Sequence, residues 1–169
     1  GLGANVGVLN NYKKYMMRFI KKHPMAFMLV FYAVLTIVYT FPLIINFGSE
    51  IPQGGSDLYQ GLATIRTQVE IAQSLGNWPD SVWYLAKNGG TFLWFSLASF
   101  TFGLTVGYNV VFLLIFFVSA VGMYCLVWHF TRNQIGSLLA GAVFAFSPFH
   151  IYQSTAVHFG IMQQQWIPW

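Results

Sequence analysis

The sequence predicts an all-α membrane protein, a polytopic helical bundle with an extracytoplasmic loop that bears an amphipathic surface helix. Three observations predict it. Hydrophobic residues fill 56% of the 169 positions and charged residues only 7%, whereas a soluble domain keeps its surface wet with about 25% charged residues. Five of the eight basic residues, Lys13, Lys14, Arg18, Lys21 and Lys22, stand together just before the first apolar run. That is a membrane-topology signal and not the basic stripe of a nucleic-acid binder, so nucleic acid is excluded as a partner. All four acidic residues, Glu50, Asp57, Glu70 and Asp80, fall in one stretch between apolar runs.

Residues 1–24 form a basic cytoplasmic segment. The apolar run that follows is too long for a secretory signal and has no small-residue cleavage site after it, so it stays in the membrane. Residues 25–46, MAFMLVFYAVLTIVYTFPLIIN, contain no charge. About 22 residues rising 1.5 Å each reach across a hydrocarbon core of roughly 30 Å, which makes this the first transmembrane helix. Pro24 stands at its start, where a missing N–H costs nothing, and Pro42 lies where it can kink or end the helix. The five-charge cluster places the N-terminus in the cytoplasm of a multi-pass cell-membrane protein and the following loop outside.

Residues 47–90 form that extracytoplasmic loop, with turn signals at PQGGSD, GNWPD and KNGG. Within it the apolar spacing of Leu62, Ile65, Val69, Ala72 and Leu75 predicts a helix over 58–75 with Arg66 and Glu70 on its wet face, four apart and able to pair. Trp78, Trp83 and Tyr84 read as interface aromatics, which lays this helix along the membrane surface. Residues 91–107 are apolar for about 17 positions but broken by Gly103 and Gly107, too short to cross securely, and read as a re-entrant or interfacial segment. Residues 108–130 are the second transmembrane helix. The turn 131–134 carries Arg132 and belongs in the cytoplasm.

Residues 135–149 are a third span whose Gly136, Ser137, Ala140, Gly141 and Ala145 let helices approach closely. Residues 150–169 are extracytoplasmic and lead into a further, truncated span. With no initiating Met and a stop after QWIPW, the chain reads as an N-terminal piece of a longer protein. No phosphate-binding loop, zinc-type Cys/His pair or nucleophile elbow occurs. Cys125, the lone cysteine, reads as a packing residue. His150 and His158 are eight apart and suited to one helix face. Without a carboxylate near them in sequence they point to hydrogen bonding or substrate binding in a polar cavity more than to a metal. Arg66 and Lys87 are the outer loop's cations, suited to a lipid-linked phosphate. Pairing of Arg66 with Glu70, or simple snorkelling, is the plainer reading of each.

The order of parts resembles the N-terminal half of polytopic GT-C glycosyltransferases. A basic tail leads into an outward span ending FPLIIN, then a loop bearing GSD and an amphipathic helix. The later stretch GAVFAFSPFHIYQSTAVHFGIMQQQWIPW is also similar to bacterial and archaeal members. The resemblance implies transfer of a sugar from a polyprenyl-phosphate donor to a glycan, lipid or protein acceptor outside the cell. It assigns Asp57 as the catalytic base or acceptor-orienting group. A carboxylate roughly ten residues past the span stands where a carrier's phosphate is presented, and an Asp of ordinary pKa, about 3.9, is ionised at neutral pH. Capping of the surface helix by Ser56 or Asp57 is the bland alternative. No cofactor is identified, with a divalent metal left open. The later spans of the family are absent, so the fragment alone is expected to be inactive. The competing class is a non-catalytic membrane subunit of a larger complex, or part of a transporter. The confident spans hold no ionisable residue before His129, which counts against transport.

Overall fold

The computed structural model describes residues 23–52, 56–155, 158 and 163–169, and the basic cluster of residues 13–22 lies outside them. Among the described residues every regular element is helical: α1 (Pro24–Tyr39), α2 (Ser56–Ser74), α3 (Trp78–Asn88), α4 (Leu93–Phe102), α5 (Leu104–Thr131), α6 (Gln134–Ala145) and α7 (Pro148–Thr155), with 3₁₀ turns at Gly90–Phe92 and Gln164–Trp166. Two stretches, Leu104–Thr131 and Gln134–Gln153, are long and apolar enough to cross a membrane.

The centre of the molecule is α5, whose 28 residues make a rod about 42 Å long. Its second half packs against α1 and α6. Tyr32 of α1 meets Tyr124 and donates from its hydroxyl to the Leu138 carbonyl at 3.0 Å. One end further along, Tyr39 meets Phe116 and Phe146. As α1 advances, α5 therefore runs backwards and α6 forwards, an antiparallel trio. Its inner positions follow a four-residue step: Met28, Tyr32 and Thr36 on α1, Ser137, Gly141 and Ala145 on α6. A Cβ at Gly141 would overlap the Tyr32 hydroxyl and the Ala120 carbonyl, so glycine sets the closeness of all three helices. Of the small residues on α6, Ser137, Gly141 and Ala145 face inward, while Gly136 and Ala140 are half-buried.

The helix expected as the first span departs from its expected bounds and is too short to count among the stretches able to cross a membrane. It is helical for 16 residues, to Tyr39, and not to Asn46. Pro42 has no N–H to continue the ladder, and its ring would strike the carbonyl four residues back. The Thr36 carbonyl instead accepts from Thr40 twice, from its N–H at 2.9 Å and its hydroxyl at 2.8 Å. The chain then proceeds by turns, with Leu43 N–H donating to the Thr40 carbonyl and Ile45 N–H to that of Pro42.

The first half of α5 carries a second layer. Residues 91–107 double back, because α4 meets α5 at Gly103, which sits at φ 85°, a region glycine enters without penalty. One turn on, a Cβ at Gly107 would overlap the backbone at Ala98 and Ser99. On the outer side of α4 lies α2, whose Leu58 and Ile65 join Phe95, Tyr108, Phe112 and Phe116 in one core. Ser96 Oγ donates to Gln68 Oε1 at 2.5 Å, and Gln68 Nε2 donates to the Asn88 carbonyl at 3.2 Å. One amide thus ties α2 to both α3 and α4. Leu75, expected on the apolar face of α2, lies past its end and is exposed. Asn77 caps α3, accepting from the Asp80 N–H. Trp83 is exposed, while Trp78 is exposed yet rests on Phe100.

Candidate functional site

Asp57 stands in the first turn of α2, where a carboxylate is favoured by the helix dipole. Its Oδ2 lies 3.6 Å from Nε2 of His158, and both side chains are about half exposed. The other ring nitrogen of His158, Nδ1, is 2.5 Å from Gln153 Oε1, and the His158 N–H donates to the Gln153 carbonyl at 3.0 Å. Gln153 is buried on α7. Helix α2 thus supplies the carboxylate and α7 the amide that holds the imidazole against it.

A cavity of about 440 Å³ lies between the end of α1, the turns after it, α5 and α7, walled by Tyr39, Phe41, Leu43, Ile51, Phe112 and Phe116, with Glu50 as its charged residue, and neither Asp57 nor His158 lines it. Leu58, next to Asp57, shares a core cluster with Leu43, Phe112 and Phe116, and Ile151, two residues before Gln153, lines the same space. The strand of turns bearing Glu50 is pinned by Asn109, fully buried in α5, whose Nδ2 donates to the carbonyls of Phe47 and Glu50 at 2.8 and 2.6 Å. No family model matches the chain, and no curated protein or solved structure matches it either.

The structure brings His158 to Asp57 but not the other expected residues. Arg66 donates from Nε to Glu70 Oε1 at 2.7 Å on the exposed face of α2, and this carboxylate raises the guanidinium pKa above its ordinary value. Nine residues at 100° each put Arg66 on the opposite side of the helix from Asp57, about 13 Å further along. Lys87 is exposed in the last turn of α3, where its charge suits the helix C-terminus. That end of α3 is held beside Gln68, far along α2 from Asp57. Neither cation stands next to the Asp57–His158 pair.

His150 is fully buried. Its Nδ1 lies 2.8 Å from the Ala145 carbonyl, its backbone N–H donates to Ser147 Oγ at 3.2 Å, and its ring rests 4.9 Å from that of Phe116. A carbonyl only accepts, so Nδ1 carries the hydrogen. The residue joins α6 to α7 and is buried behind Phe116, which walls the cavity. The shared helix face expected for His150 and His158 does not form, because α7 ends at Thr155. Among the described residues no three His, Cys, Asp or Glu side chains converge to hold a metal ion. One carboxylate and one imidazole fall short of a metal's usual ligand set, and no metal role is assigned to them. Gln153 and Asn109 were not selected from the sequence. A buried amide in an apolar helix is visible there, but not the group it meets.

Proposed function

We propose that the chain works as a multi-pass membrane glycosyltransferase that moves a sugar from a polyprenyl-phosphate donor to an extracytoplasmic acceptor, with Asp57 as the base. The observation that carries this reading is the Asp57 carboxylate, paired with an imidazole and next in the chain to Leu58, whose core cluster shares Leu43, Phe112 and Phe116 with the wall of an apolar cavity of about 440 Å³. That volume suits a small apolar ligand group, here the isoprene units nearest the phosphate. In the reaction the acceptor hydroxyl oxygen bonds to the anomeric carbon as the carbon–oxygen bond to phosphate breaks. The electron pair leaves with the polyprenyl phosphate, and the hydroxyl proton passes to Asp57.

The antiparallel order of α1, α5 and α6 supports an orientation too. It sets the 131–134 turn, with Arg132, at the end of the trio where α1 begins, whereas Glu50 and Asp57 lie toward the end where α1 stops. By the positive-inside rule the first end is cytoplasmic and the Asp57 end extracytoplasmic. With Cys125 replaced, a cysteine at Asn133 should react with an impermeant thiol reagent only after permeabilisation, and one at Gly76 in intact cells. The reverse pattern would invert the assignment.

The decisive variant is Asp57→Asn in the full-length protein, because the amide still accepts a capping hydrogen bond but cannot take a proton. Transfer should fall by about 10²–10⁴-fold with insertion unchanged. Wild-type transfer would remove Asp57 from the mechanism. It would favour the second reading, a non-catalytic subunit of a membrane complex, for which the aromatic-edged groove between α4 and α5, with Trp94 and Trp166 at 5.8 Å, is a suitable contact surface.

A further inference from the structure

We propose that His158 is the relay through which Asp57 sheds the proton it takes, and that Gln153 sets the tautomer of His158 that permits this. The inference rests on Asp57 being the base. It starts from the amide. Gln153 is buried on α7, and its Oε1 lies 2.5 Å from His158 Nδ1. An amide oxygen only accepts, so Nδ1 holds a hydrogen, and a neutral ring then has its lone pair on Nε2. That lone pair faces Asp57 Oδ2 at 3.6 Å.

Two acceptors turned toward each other leave a place for one proton. While Asp57 is a carboxylate and His158 neutral, neither Oδ2 nor Nε2 brings a hydrogen to the other, and their separation is longer than a hydrogen bond. A proton taken by Asp57 Oδ2 supplies the bridge, and the contact can then tighten, as catalytic contacts often do only in the reacting complex. From Oδ2 the proton passes to Nε2, giving an imidazolium whose charge sits against the restored carboxylate. The ring is 38% exposed, so Nε2 then releases the proton to water. One proton moves from acceptor oxygen to Oδ2, to Nε2, to solvent, and no redox partner is involved. Asp57 is thereby returned to its carboxylate for the next acceptor by a route that runs beside its own exchange with water, since its side chain is 53% exposed.

Gln153 is a positioning residue in this scheme. If its amide presented nitrogen to Nδ1, the imidazole would carry its hydrogen on Nε2 and already donate to Asp57, with no site left for an arriving proton. The first test is therefore spectroscopic and needs no activity. In full-length protein labelled with ¹⁵N-histidine, with the His158→Gln variant identifying the resonance, His158 should carry hydrogen on Nδ1, and Gln153→Leu should shift it toward a tautomer mixture. A neutral His158 protonated on Nε2 in the wild type overturns the proposal. The second test uses sugar transfer. His158→Gln and Gln153→Leu should each lower kcat about 10- to 100-fold, less than loss of the base itself, with KM for the polyprenyl-phosphate donor unchanged. Impaired Asp57→Asn with unimpaired His158→Gln sinks the relay alone. Unimpaired Asp57→Asn sinks the glycosyl-transfer reading and the relay with it, even where the tautomer is as expected.

Discussion

Helices α2 and α6 are built on opposite plans. In α2, Leu58, Ile65 and Ala72 face inward while Arg66 and Glu70 face out, which is how a helix meets water. In α6, the inner face is Ser137, Gly141 and Ala145, whereas Ile135, Leu139 and Val143 stand more than half exposed on the outside. Helix α1 repeats the second plan, exposing Val30, Val34 and Val38. A row of branched apolar side chains turned outward suits hydrocarbon and not water. Helix α6 packs directly on α5, whereas α2 packs on α4, so the two plans belong to different layers of the molecule.

The comparison breaks most readily at the outer faces. Leu139→Lys puts a charge on the α6 row and should cost about 2.5–3.5 kcal/mol of membrane insertion, read in a translocon insertion assay, while Thr67→Lys on α2 should cost none. Equal responses would erase the distinction. Next comes the inner face. Gly141→Ala should destabilise by about 1–3 kcal/mol through overpacking against Tyr32 and Ala120, measured as unfolding in lipid discs. Stability held or raised would mean the trio is looser than described.

Gln68→Ala tests the polar lacing of the other layer. It leaves the buried Ser96 hydroxyl without its acceptor, at about 1–3 kcal/mol, and hydrogen exchange should quicken in α2 and α3 while α6 stays protected. Uniform quickening would argue for a single cooperative unit. Tyr32→Phe removes the bond to the Leu138 carbonyl, and such interhelical bonds average about 0.6 kcal/mol. Smallest of all is Arg66→Ala. The pair with Glu70 is exposed, so neither melting nor apparent affinity for the lipid donor should change, and weakened donor binding would return Arg66 to the site.

Periodic and small-residue signals were readable in advance. Gly103 and Gly107 marked the place where residues 91–107 fold back, and the α6 row of small residues marked a close contact. Pro42 was visible too, but the unbroken apolar run to Asn46 outweighed it, since composition reports what a segment is dissolved in and not where its hydrogen-bond ladder stops. The Asp57–His158 pair was legible only as two separate candidates. Residues so far apart in the chain meet where Leu58 of α2 and His150 of α7 both pack toward Phe116 of α5, and that packing is encoded by no local pattern. His150 was legible as a hydrogen-bonding histidine, but its partner, a carbonyl five positions back, was not.

Helix α1 stops level with Phe116, where Tyr39 meets that ring, while α5 continues twelve residues further to Leu104, about 18 Å at 1.5 Å each. The shortfall gives the cavity a side door. Backbone turns at membrane depth are tolerated where they border a cavity, and those after Tyr39 do, with Phe41 and Ile45 turned outward beside them. In the membrane orientation proposed above, that opening would face the acyl chains. A lipid-borne molecule would reach it by diffusing in the plane of the leaflet, a two-dimensional search in which its tail never leaves oil, and its rate of arrival would depend on surface density in the membrane and not on concentration in water.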